Sequence, residues 1–396
     1  MLLQTHKKAL LGLLAIASML LITACSSIGD IKTGISEKIF GAEPANPPEP
    51  LAELKETAST KLLWQAKVGE AEDFQFAPVV EAGYAYVASA DGQVVKLDTI
   101  NGAQVWHTNA GEKLSGGVGV GGSLVLVGTQ KGAVYAYDNA GKLQWKSKLS
   151  SEVLSAPKYF DGTVIVRTGD SRIYGINAND GSRKWVYDRA IPSLTLRSSA
   201  GLVVDSGAVY AGFAGGKLIA LRADNGKLLW EASVAQPKGV TEIERIADIT
   251  SLPVVDGPLI YAVAYQGRIS AVDRMSGRVV WNRDISSLTG LNVEDGRIFV
   301  SHATGSIYAL DYTTGKTFWR QAALKNRQLS TPMPMGSLIA VGDLEGYVHF
   351  LNRDDGALAS RFKTNNSPVM AQMALINSTT VLAQTRDGGI YAIQIK

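Results

Sequence analysis

"GSIYALDYTTGKTFW", residues 305–319, runs from a glycine through a short alternating strand, an aspartate and a Thr-Gly pair to a tryptophan. Copies of it fill the chain: "GQVVKLDTINGAQVW" (92–106), "GAVYAYDNAGKLQW" (132–145), "SRIYGINANDGSRKW" (171–185), "GKLIALRADNGKLLW" (216–230) and "GRISAVDRMSGRVVW" (267–281). "GYVHFLNRDDGALAS" (346–360) and a shortened "GGIYAIQIK" from residue 388 complete the series. Successive copies begin 40, 39, 45, 51, 38, 41 and 42 residues apart. A period near forty with several strands per unit is the signature of a propeller blade. A stretch that recurs in this way is a building unit rather than a site.

Each unit reads as four strands. Segments such as "SLPVVDG" and "STPMPMG" give a first strand and turn, "LIYAVAYQG" and "LIAVGDLEG" a second, "IYALD" the third, and the run from glycine to tryptophan the fourth. Short β-rich runs bounded by Gly, Asp and Asn are hairpin grammar. In the quoted copy Ile307 and Ala309 point one way and Tyr308 and Leu310 the other. Asp311 is placed to accept backbone N–H groups in the turn, where Gly315 takes positive φ. All seven tryptophans (Trp64, Trp106, Trp145, Trp185, Trp230, Trp281 and Trp319) are explained by packing between blades. The eighth unit offers three strands, "VMAQMALIN", "STTVLAQTRD" and "GIYAIQI"; its fourth, with a tryptophan, stands upstream as "KLLWQAKVG" (61–69). The predicted fold is therefore all-β, an eight-bladed propeller over 61–396, its ring closed by the N-terminal strand so that no seam is left exposed.

Ahead of the ring, "MLLQTHKK" carries two lysines, "ALLGLLAIASMLLI" is uncharged and mostly apolar, and "TAC" brings small residues to the single cysteine, Cys25. That is a secretory signal over 1–24, too short for a good membrane span. One cysteine excludes an intramolecular disulfide. "ITAC" resembles the bacterial lipobox, which implies a diacylglyceryl group on Cys25; Ser26 after it implies sorting to the outer membrane. Residues 25–60, with "EPANPPEP" at 43–50, read as a lipidated cysteine and a flexible tether. The 39 basic side chains, two of them in the leader, against 36 acidic ones leave the mature chain at +1. Nucleic acid is not an expected partner.

Catalytic patterns are sparse. The repeat resembles that of quinone-dependent alcohol dehydrogenases, which use calcium with carboxylate and amide ligands and a vicinal cysteine pair. Here the one cysteine lies outside the propeller. His107, His302 and His349 fall in different blades, without zinc-ligand spacing. The acids sit mostly in turns, and no calcium loop, nucleophile elbow or Walker loop stands in the chain. No enzyme, cofactor or metal is expected; a quinone- or metal-dependent dehydrogenase-like site, or a ligand site, in the central funnel is the alternative.

Two long intervals are consecutive. "VYDRAIPSLTLRSSAG" follows Trp185 and "EASVAQPKGVTEIERIADITSLP" follows Trp230, so both emerge on one face in adjacent sectors. Leu194 and Leu196, two apart with Arg197 beside them, fit an apolar centre with a charged rim. "TEIERIAD" predicts a short helix with Thr241 as N-cap and Glu244 as its capping-box partner, Ile243 and Ile246 on one face and Asp248 near the end. With the lipobox, the tether and the blades, "PSLTLR" and "TEIERIADITSLPVVDG" resemble the BamB family, lipoprotein subunits of the outer-membrane β-barrel assembly machinery. The resemblance covers essentially the whole mature chain. It implies a non-enzymatic scaffold that faces the periplasm and binds the POTRA domains of the central subunit, BamA. Other subunits and unfolded outer-membrane proteins are further candidate partners. By motif, Leu194, Leu196, Arg197 and Asp248 match the family's contact positions. Where other members carry a further acid, this chain has Thr250.

Overall fold

Strands that alternate in sequence need one buried face; strands that are apolar throughout need two. Both kinds occur in every blade. The computed structural model describes residues 46–190, 192 and 194–396. Glu49–Lys396 form one unit of eight four-stranded antiparallel sheets, and in blades 1 to 7 each sheet follows chain order from its inner strand outwards. Blades 1 to 7 span residues 79–109, 114–148, 158–187, 202–233, 254–283, 291–321 and 333–363. Blade 8 takes Ala374–Asn377, Thr380–Gln384 and Gly389–Ile395, and Thr60–Lys67 is its outer strand. Thr60 pairs with Ile395 and Lys67 with Gly389, which is the predicted closure.

The middle strands are buried on both faces, as in Leu124–Thr129 and Thr380–Gln384, because each blade has a neighbour on either side. Outer strands such as Arg183–Tyr187 are mostly exposed around a buried tryptophan. The core is correspondingly divided into eight apolar clusters, each filling the space between two adjacent blades.

The tryptophans knit these interfaces. Each indole Nε1–H donates to a carbonyl in the next blade's turn between third and outer strands, at 2.7–3.1 Å; the seven acceptors begin with Thr99 and end with Arg353. Beneath each ring lies the glycine of that turn. In the opening repeat, Gly315 has φ 69°, and a Cβ there would stand 2.7 Å from Cε3 of Trp281. Asp311 closes the same turn, its Oδ1 accepting the Thr314 N–H at 2.7 Å. The Thr-Gly pair is thus a seat for the preceding blade's tryptophan as well as a turn.

One interface lacks this dock. Ser360 occupies the tryptophan position of blade 7, opposite Phe350 as Trp319 is opposite Ala309. A segment upstream of the ring takes over there. The Thr57 N–H donates to Ala359 O at 2.9 Å, Ser360 Oγ to Glu56 Oε1 at 2.9 Å, and Arg361 Nη2 to Ala52 O at 3.1 Å. Leu51 packs into the cluster between blades 6 and 7, and Ala58 into that between blades 7 and 8. Glu49 is held by Lys325 O and by the Arg327 guanidinium. The expectation of a tether reaching residue 60 is therefore corrected: 49–59 are strapped to the ring, because an absent indole leaves backbone and a serine hydroxyl to be satisfied. The signal segment and Cys25 lie outside the described residues.

Candidate functional site

Connections from an outer strand to the next inner strand all emerge on one face of the ring. Three consecutive ones, leaving blades 3, 4 and 5, build the candidate surface. The first joins Arg183–Tyr187 to Leu202–Asp205, the second Leu228–Ser233 to Val254–Asp256, the third Val279–Arg283 to Leu291–Glu294. They touch through hydrogen bonds: Ser198 Oγ donates to Thr250 O at 3.3 Å, and Thr250 Oγ1 to Leu288 O at 2.8 Å. Large apolar side chains stand in water on all three, with Leu194 43% exposed, Ile243 67% and Leu288 44%, and Val240 beside Ile243. Leu196 is half-buried. Single exposed apolar residues are ordinary, whereas several on adjoining loops of one face form a patch of the kind partners cover.

Arg197 brings an exposed charge to the patch. Its side chain is 64% exposed, and its one ion pair, to Glu152, is long at 3.8 Å. Such exposed pairs contribute little, so the guanidinium remains available to an incoming carboxylate. It lies over the ring of Phe74, 5.7 Å away, and Ser199 Oγ donates to Gln75 Oε1. Phe74 and Gln75 belong to the connection into blade 1, so the first loop reaches across the mouth of the axial funnel rather than outwards.

Asp248 differs from its expected place on a charged rim. It is 4% exposed. Its Oδ2 accepts the Leu196 N–H at 2.8 Å and its Oδ1 the Gly215 N–H at 3.0 Å. Flanking residues force it inwards: Ala247 and Ile249 are buried in the cluster between blades 4 and 5, and Ile249 presses against Gly212, where a Cβ would be 2.2 Å away. The same inward pull shortens the predicted helix. Thr241 and Glu244 make the reciprocal capping-box bonds, and Arg245 N–H reaches Thr241 O at 3.1 Å, but the chain forms one turn and then extends. Ile243 stays exposed while Ile246 is half-buried. Thr250, read as a lost charge, instead ties in the third loop.

Sequence reasoning missed Arg167, which ends the second strand of blade 3. Its Nη1 donates to Gly212 O at 2.6 Å and Ala200 O at 3.1 Å, and its guanidinium lies 4.5 Å from the centre of the Phe213 ring. Burial pulls its pKa down to about 10, against the opposing pull of the Asp248 charge. In "TVIVRTGD" it reads as an ordinary polar residue at a strand end; only the approach of blade 4 gives it a role.

The axial funnel has a volume of about 590 Å³ and is lined by every blade. Lys158 and Asp205 are its titratable residues, and Asp205 is engaged by Arg274. Burial lowers the Lys158 pKa. Among the described residues no three of His, Cys, Asp and Glu come together as a metal site. His302 and His349 are separate: His349 is wholly buried against Asp343, its Nε2 2.8 Å from Oδ2, and Arg327 Nε bonds the same oxygen at 2.7 Å.

Comparison with known proteins places this arrangement. The family model described as outer membrane protein assembly factor BamB matches residues 54–113, 99–321 and 303–396. The outer membrane protein assembly factor BamB of Nitrosomonas eutropha is 40% identical, over 96% of this chain and 93% of that protein. That of Burkholderia pseudomallei is 39% identical, over 96% of each. The crystal structure of BamB from Moraxella catarrhalis superposes with a TM-score of 0.78 at 29% identity, covering 85% of this chain and all of that one. Quinohemoprotein alcohol dehydrogenase from Comamonas testosteroni, at 14% identity and a TM-score of 0.68 over 87% of this chain and 78% of its own, shares the fold alone. An eight-bladed ring, full-length likeness to two assembly factors and a matched family model lead to one conclusion: this chain belongs to the BamB family of outer membrane protein assembly factors.

Proposed function

We propose that the chain is a non-enzymatic scaffold of outer-membrane β-barrel assembly, anchored to the outer membrane by a lipidated Cys25, facing the periplasm and binding the POTRA domains of BamA. The observation that carries the docking surface is Leu194 standing exposed beside an Arg197 without a strong partner, on a loop whose backbone is already tied down. Leucine supplies apolar area to a partner's groove, and the guanidinium supplies a planar fork for a carboxylate at its edge. Leu196 adds half-buried apolar area two residues on, and Asp248 contributes through the bond it accepts from the Leu196 N–H. The ring's part is positional: eight interlocked blades hold the patch rigid while mobile domains are oriented against it.

The test is co-purification. Leu194→Asp with Arg197→Ala in the tagged mature chain should abolish recovery of BamA from detergent-solubilised envelopes, while the circular dichroism of the ring is unchanged. Undiminished recovery of BamA by that double variant refutes the surface.

A further inference from the structure

Among the described residues, 194–200 make no backbone-to-backbone hydrogen bond; the stretch is held by side chains. The Leu196 N–H goes to the Asp248 carboxylate, the Ala200 N–H to Ser198 Oγ, and Ala200 O receives the Arg167 guanidinium. The same two charged groups grip the blade beneath. Arg167 bonds Gly212 O in the strand Ala208–Phe213, and Asp248 bonds the Gly215 N–H within the turn that follows it. A cation thus holds two carbonyls and an anion holds two N–H groups, one of each in the loop and one of each in blade 4.

Resting on the docking reading above, we propose that Arg167 and Asp248 are positioning residues: a buried cation–anion clamp that fixes the 194–200 loop in its docking shape before a partner arrives, without touching that partner. A loop lacking its own ladder would otherwise lose conformational freedom on binding, and prior ordering removes that cost from the association step. Arg167 fits the work because the two N–H groups of its Nη1 reach two carbonyls at once. Asp248 fits because an ionised carboxylate accepts strongly and offsets the buried guanidinium.

The experiment pairs two measurements on the full mature chain. Hydrogen exchange is followed at the Leu196 and Gly215 amides without partner, and affinity for the isolated POTRA domains of the cognate BamA is measured at low and high salt. Asp248→Asn is the mild variant, Arg167→Met the severe one, and Arg197→Ala the comparison for a charge that meets the partner directly. Asp248→Asn should speed exchange at Leu196 at least tenfold and weaken binding tenfold or more, with the wild-type dependence on salt. Arg197→Ala should leave exchange alone and flatten the salt dependence. Unchanged exchange in Asp248→Asn overturns the clamp, as does faster exchange with undiminished affinity, or a salt dependence flattened as in Arg197→Ala. Arg167→Met should reproduce the exchange effect at Gly215 if it folds, and Asp248→Asn decides if it does not. A wild-type chain that binds no POTRA domain sinks the docking reading, and exchange at Leu196 then upholds or overturns the clamp by itself.

Discussion

Replacing Gly181 by alanine separates the two duties of a blade-turn glycine. Gly181 has φ 74°, and a Cβ there would lie 2.7 Å from Cε3 of Trp145. Holding a non-glycine residue in that left-handed conformation costs about 1–2 kcal/mol. The methyl also forces the indole off its seat. That weakens the buried 2.7 Å bond from Trp145 Nε1 to Ala178 O, worth about 1 kcal/mol, and overpacks an interface at a cost of roughly 1–3 kcal/mol. The sum is about 3–6 kcal/mol. Gly83→Ala is the control: φ is 82°, but nothing lies within 4 Å of the new methyl, so only the backbone cost applies. Urea unfolding followed by tryptophan fluorescence, compared at a common slope, should put Gly181→Ala about 2 kcal/mol or more below Gly83→Ala. In a Trp145→Ala background the excess should vanish, since the methyl then meets no ring. Equal losses in the two glycine variants, or an excess that survives removal of Trp145, would refute the seat.

Two further outcomes follow from side chains the repeat does not explain. Burial holds the pKa of His349 below the ordinary histidine value against the opposing pull of Asp343, so His349 is neutral in the folded ring, and folding competes with protonation. Its stabilisation is full above about 6.5, the unfolded value, and declines below it by about 1.4 kcal/mol for each unit of depression; unfolding midpoints at pH 7.5 and pH 5 should therefore converge in His349→Gln relative to the parent chain. Glu56→Ala should destabilise by about 1–2 kcal/mol, because it strands the buried Ser360 hydroxyl at the interface without a tryptophan, while Glu53→Ala on the same segment should change nothing in the same urea titration.

The blades were legible because each carries its own grammar. Alternation marks the outer strands, unbroken apolar runs the middle ones, and a Gly-to-Trp spacing fixes the register between neighbours. Even the missing strand of blade 8 could be found upstream, since a tryptophan without a repeat must belong somewhere. The strap escaped notice because nothing in "LAELKETAS" is apolar enough to mark it; its role comes from Ser360, some three hundred residues away, where a tryptophan is absent. The two long loops were found as interruptions of the period, and Leu194 and Arg197 stand exposed on the first of them. Asp248 and Arg167 were misread or missed for one reason: a charge looks like a surface residue until neighbouring blades supply the carbonyls and N–H groups that bury it.

The eighth blade joins strands from opposite ends of the sequence, Thr60–Lys67 against Gly389–Ile395. A polypeptide delivered amino end first must therefore keep its earliest strand solitary while seven sheets assemble behind it. Pairing these two strands closes a loop that spans nearly the whole ring, a contact that is entropically slow to form. Until then the Gly389–Ile395 strand has an unpaired edge, which invites pairing with any extended chain nearby. For such a ring, the interval between emergence and closure is the moment of greatest exposure to error.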